Sequence, residues 1–223
     1  MASVSVDQQG RARSGGLLLA CVADHGTASH AYFGSEGLLK GPEASRNLAD
    51  AIHFLCALHG RHPGVIDHAA GRTIDPAARA WLSEAAVAMA AERHYLTRLS
   101  VAAGAIPSTP GGASSETAIL AQRGALATLA QSDRKGCALG AALAFAADWS
   151  AIRIVLDAAA KRFGIEPPVS TLSSREILEA VADEAGEDIA AQRAILFGAQ
   201  QFALQHRGLW DLLEARQQAR REY

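Results

Sequence analysis

Five ionisable residues interrupt what are otherwise apolar helical stripes: His59, Glu92, Asp148, Asp188 and His206. On a period of 3.6 residues, Trp81, Ala85, Ala88, Glu92, Tyr95 and Leu99 share one face, and Cys137, Ala141, Ala144, Asp148, Ile152, Val155 and Ala159 share another. Asp188, Gln192, Ile195, Ala199, Phe202, His206 and Leu209 form a third row. Earlier in the chain Leu48, Ile52, Leu55, Cys56 and His59 lie together, with Asp50 and His53 one turn apart on the flank. Carboxylates and imidazoles are costly in a helical core unless they are paired, hydrogen-bonded or bound to something. Four helices that each supply one therefore point to a shared polar site.

Two chemistries fit those residue types. Carboxylates and imidazoles on facing helices hold iron, manganese or zinc, and Glu92, Asp148 and His206 would then be the central ligands with His59 or His53 as a fourth. Tyr95, Phe145, Trp149, Phe202 and Trp210 would keep such a cavity dry. In the other reading the same residues satisfy one another and serve only to specify how the helices pair.

A second group of metal-ligand types is local. His53, His59, His62 and His68 are half of the eight histidines, with Cys56 and Asp67 among them. Zinc would accept Cys56, His59 and one loop histidine, although imidazoles near a helix C-terminus also have a plain electrostatic role there. Cys137 follows Arg134 and Lys135, a setting that lowers a thiol pKa; its place in the Ala141 and Ala144 row favours a packed core thiol instead. The phosphate-binding loop, the Gly-x-Ser-x-Gly elbow, the His-Glu-x-x-His zinc motif and the dinucleotide-binding glycine fingerprint are all absent. No residue is assigned a catalytic role.

Over residues 43–220 the pattern resembles the ferritin-like and haem-oxygenase-like bundles, whose long helices carry inward-facing acids and histidines. That resemblance implies a bound metal or small molecule and an oxidoreductase activity. The paired Glu-x-x-His of ferritin-like di-iron sites is missing, with Asp50-x-x-His53 the nearest match, so no family residue is carried across.

The elements that must position these groups are helices. About a fifth of the 223 residues are Ala, aromatics are 5%, and Val, Ile and Thr are scattered. The spacing predicts an all-α chain, a single up-and-down bundle of about six helices over residues 16–223, behind a disordered start over 1–15. The helices are expected near 43–59, 75–103, 115–131, 134–163, 173–185 and 187–220. Asp75 with Pro76 starts the second, Ser173 with Glu176 has capping-box spacing, and Pro107, Pro110, Gly111 and Gly112 mark a linker.

A net charge of -2 gives no electrostatic footprint for nucleic acid or anionic membrane. Leu17 to Ala23 is too short and lacks a cleavage pattern for a signal peptide, and no uninterrupted apolar run nears the roughly 18 residues of a membrane span. Three cysteines without Cys-x-x-Cys spacing suggest a reducing, cytoplasmic setting. Gly140, Ala141, Ala144, Ala199 and Ala203 would let helices approach closely, and apolar faces left over would suit a homodimer. The expected function is a non-catalytic helical interaction protein; the alternative is a metal- or small-molecule-binding bundle, with iron, manganese or zinc as its cofactor.

Overall fold

A computed structural model describes residues 13–222. Among them are nine α-helices and one short 3-10 turn, Thr27–Ser29, with no strand. The helices are α1 (Ser14–His25), α2 (Glu36–Leu39), α3 (Ala44–His59), α4 (Val65–Arg72), α5 (Pro76–Ala103), α6 (Gly112–Ala130), α7 (Cys137–Phe163), α8 (Arg175–Ala185) and α9 (Ile189–Arg221). Six of these match the expected segments to within a few residues. The count of six is too low because α1, α2 and α4 are short and their apolar periods cover too few turns to read. The expected disordered start lies mostly outside the described residues, but Ser14 and Gly15 are buried in the first turn of α1.

α7 is the hub. Of its 27 residues 18 are buried, and it packs against α9, α4, α5, α3, α6, α1 and α8. By length and composition α7 is apolar enough to cross a membrane, although Asp148 and Arg153 both interrupt it; in this fold most of that stretch is core. Its closest partner is α9, and glycine makes the approach possible. A Cβ on Gly140 would stand 2.0 Å from the Ile195 carbonyl oxygen, and one on Gly198 would stand 2.1 Å from that of Cys137. The two backbones touch where both side chains are missing, so any side chain there would force the helices apart.

Helix ends follow local chemistry. Asp75 accepts the Ala78 N–H at 2.8 Å with Pro76 in the first turn of α5. Gly164, at φ 71°, closes α7 in the left-handed conformation. Ser174, rather than Ser173, is the cap residue of α8, and Glu176 is lowered from the usual carboxylate value chiefly by a hydrogen bond from Ser174. Ser173 instead accepts the Trp81 indole N–H at 2.9 Å. Asp188 leaves the ionisable row too: exposed, it caps α9 by accepting the Ala191 N–H at 2.7 Å.

The buried apolar residues from Leu18 to Leu213 form one cluster. The rows read from the sequence face into it, with Trp81, Ala85, Tyr95 and Leu99 on α5 and Ile152, Val155 and Ala159 on α7 buried together.

Candidate functional site

Three of the four candidate ligands meet in this core. Asp148 projects from α7 and takes three hydrogen bonds. Its Oδ1 accepts the Thr27 N–H at 2.8 Å, while its Oδ2 accepts the Thr27 hydroxyl and His206 Nδ1–H, both at 2.6 Å. Thr27 in turn accepts the Trp210 indole N–H at 2.9 Å. The chain turns at Gly26 to make this possible: a Cβ there would lie 2.5 Å from Asp148 Oδ1.

With Nδ1 of His206 donating, its Nε2 is the free ring acceptor of the neutral imidazole. That nitrogen faces Nε2 of His59, on α3, at 2.9 Å. Burial holds His59 well below the ordinary imidazole pKa, and the neighbouring His206 adds a smaller push in the same direction. A neutral His59 therefore donates its Nε2–H to His206. From both ends the donors run toward one carboxylate.

Aromatic rings close the site. His59 stacks on Phe145 at 4.6 Å between centroids and lies T-shaped to Trp149 at 5.8 Å. Phe202 lies 4.2 Å from the His206 ring. His206 and Thr27 are fully buried, and Asp148 and His59 nearly so.

Glu92 belongs to a separate arrangement. Its Oε2 accepts the Trp149 indole N–H at 2.9 Å and its Oε1 accepts Arg153 Nη1–H at 3.0 Å. Arg153 also donates to the Pro168 carbonyl at 2.7 Å, pairs with Asp157 at 3.4 Å and lies over the Tyr95 ring. The Tyr95 hydroxyl donates to Asp157 at 2.9 Å, and burial is the first cause that pushes its pKa up. Trp149 is the partition between the two sets, its ring T-shaped against His59 and its N–H toward Glu92.

The expected four-ligand convergence of Glu92, Asp148, His206 and His59 thus does not form. His59 and His206 face each other at hydrogen-bond distance, whereas two nitrogens sharing a tetrahedral metal at about 2.0–2.1 Å would sit about 3.3 Å apart. Among the described residues no group of three or more His, Cys, Asp or Glu side chains could hold a metal ion. The local histidine cluster is dispersed for a similar reason. His53 Nδ1 meets Ser100 at 3.3 Å, and His62 meets Asp67, which also takes Arg93 and the Gly64 N–H. The Cys56 thiol is pushed up by burial, and Cys137 is a buried core thiol.

Asp50 and His53 likewise go separate ways, Asp50 to Arg216 at 2.9 Å and to Arg220. Sequence reading overlooked Thr27, Arg153, Arg216 and Arg220. Arg153 follows Trp149 by four residues on α7, a spacing that could have paired it with the Glu92 face; Thr27 lies in a loop and offers no periodic signal.

A carboxylate that orients an imidazole is half of a nucleophile-activating relay. Here the nucleophile's place is filled by a second imidazole, enclosed by aromatic rings. The arrangement ties the 3-10 turn after α1 to α3, α7 and α9 in one register.

No curated protein and no solved structure matches the chain, and the ferritin-like and haem-oxygenase-like resemblance gains no support from these comparisons. A family described as a family of unknown function, DUF6975, matches residues 22–221. With that match spanning Thr27, His59, Glu92, Asp148 and His206 and most of the chain, the protein belongs to the DUF6975 family.

Proposed function

We propose that this protein is a non-catalytic helical interaction protein, whose buried acids and histidines hold α3, α7, α9 and the 3-10 turn after α1 in one arrangement. The observation that carries the reading is the closed hydrogen-bond chain from Trp210 through Thr27, Asp148 and His206 to His59, in which protein groups meet one another and aromatic rings cover the end. A fully satisfied buried network specifies a unique packing. The surface supports an interaction role: Phe197 and Leu204, seven residues apart on α9, are both partly exposed, and Leu120 is exposed on α6, which packs against α9. A second copy of the chain is the partner this reading favours, in a reducing cytoplasm where the three thiols stay free.

Two measurements test it. Light scattering across a wide concentration range should show a dimer mass that Leu204→Glu converts to monomer; a monomer mass throughout removes self-association. Mass-spectrometric metal analysis of protein purified without tag or chelator, and again after incubation with iron(II), manganese(II) and zinc(II), should find far less than one ion per chain. Stoichiometric metal lost in His206→Ala would replace this reading with the metal-binding one.

A further inference from the structure

The other buried charge cluster is not balanced. At the C-terminal end of α9, Arg216 and Arg220 share the single carboxylate of Asp50, and all three side chains are at least nine-tenths buried. Thr109, on the linker between α5 and α6, accepts from both arginines, at 3.1 Å from Arg216 and 2.7 Å from Arg220. The Pro107 carbonyl takes a further Arg216 bond, and Asn47 accepts from Arg220 while donating to the Gly37 carbonyl at 2.8 Å. These contacts fix both guanidinium groups in place.

Three donors are left over. Arg216 Nε, Arg220 Nε and Gln217 Nε2 are buried with no hydrogen-bond partner among the described residues. A buried donor without a partner calls for an explanation, and a bound ion or water is the usual one. Gln217 and Arg220 line a cavity of about 250 Å³ whose rim carries Arg46, Arg221 and Glu43. Glu43 already pairs with Arg46 at 3.4 Å. Glu214 stands with Arg221 on a neighbouring cavity that shares Gln217. Three arginines, Arg46, Arg220 and Arg221, thus line the cavity with one carboxylate, Glu43, and Arg220 is the buried one, where charge is most costly.

We propose that this cavity binds a small oxyanion, a phosphate or carboxylate group of a soluble molecule. The guanidinium fork suits such oxygens, the Gln217 amide supplies a neutral donor, and the volume lies just under the roughly 300–1,000 Å³ typical of ligand pockets, which favours a small group. This goes beyond the interaction role proposed above and does not depend on it.

The test uses the full chain at constant ionic strength, with inorganic phosphate and malonate as probes and chloride as control. Thermal unfolding and calorimetry should show a saturable rise in Tm and a saturable heat with millimolar phosphate or malonate. Arg221→Gln, on the exposed rim, should weaken the affinity roughly tenfold. Gln217→Glu places a carboxylate beside the excess charge, so it should raise Tm in anion-free buffer and abolish the response. If Gln217→Glu fails to fold, Arg221→Gln still decides. No saturable response to either anion, or one unchanged in Arg221→Gln, overturns the proposal.

Discussion

The two buried charge clusters are built from the same kinds of parts and come out differently. Around Asp148, one carboxylate meets a threonine N–H, a threonine hydroxyl and one imidazole, with no charged partner required beyond the ring and aromatic walls on the far side. Around Asp50, one carboxylate meets two permanently charged guanidinium groups and leaves three donors unpaired, two of them on Gln217 and Arg220, which line an accessible cavity. The first network closes on itself and therefore reads as architecture. The second is open in both charge and hydrogen bonding, and openness is what a ligand can complete. Burial of ionisable groups does not distinguish them; the tally of donors against acceptors does.

The comparison breaks first at Asp148. Asp148→Ala removes the acceptor for three buried donors, each costing about 1–3 kcal/mol when orphaned. A total loss of about 4 kcal/mol is expected in urea unfolding. A loss below about 1 kcal/mol would show that the chain of bonds is not what holds the turn after α1 to α7 and α9.

Next in size is Glu92. If Glu92 served only to specify pairing, Glu92→Leu would be tolerated or even stabilising, as buried polar groups replaced by apolar ones often are. The structure revises that expectation, because the substitution strands Arg153 and the Trp149 N–H, and about 3 kcal/mol should be lost. Adding Arg153→Met should recover part of it, leaving the double variant more stable than the single one. A double variant worse than the single would mean that Arg153 acts through Asp157 and Pro168 rather than through Glu92.

This revision marks how far the sequence carries. The six long or well-capped helices are legible because their apolar period runs for three turns or more, and the rows containing Glu92, Asp148 and His206 are legible as buried because one face alone is apolar. What a row does not encode is the rotation of the opposite helix. Glu92 and Asp148 both face the core, yet Trp149, adjacent in sequence to Asp148, stands between them. Thr27 was invisible for a different reason: it acts from a loop, through a backbone N–H that every residue type possesses. Asp188 shows the reverse error, since a helix-capping aspartate continues the heptad spacing by coincidence of register.

A smaller effect concerns pH. His59 is neutral in the folded chain because burial lowers its pKa well below the free value of 6.5. In the unfolded chain it protonates as pH falls through that value, so the unfolded state binds more protons there and folding stability rises with pH. The contribution is fully present above about pH 7 and is lost on acidification, by up to about 1.4 kcal/mol per pH unit below 6.5. His59→Phe keeps the ring stacked on Phe145 and removes the titration. Urea unfolding at several pH values should therefore show a shallower acid limb for His59→Phe than for the parent; identical limbs would mean that His59 is charged in the fold.

The smallest expected effect is the one that sharpens the contrast most. In the Asp148 network every polar deletion should destabilise, because each group has a partner to abandon. Gln217 has a buried amide nitrogen with no partner among the described residues, so Gln217→Leu abandons none and removes an unmet donor. Stability without added anion should stay within about 1 kcal/mol of the parent or rise slightly, since deleting an unsatisfied polar group is nearly neutral where the space is refilled. In the presence of phosphate the parent should gain stability that Gln217→Leu gains less of, because the amide would then be a ligand contact. A clear loss of stability in anion-free buffer would show that the amide already serves the fold, and would place the Asp50 end of the bundle in the same class as the closed network around Asp148.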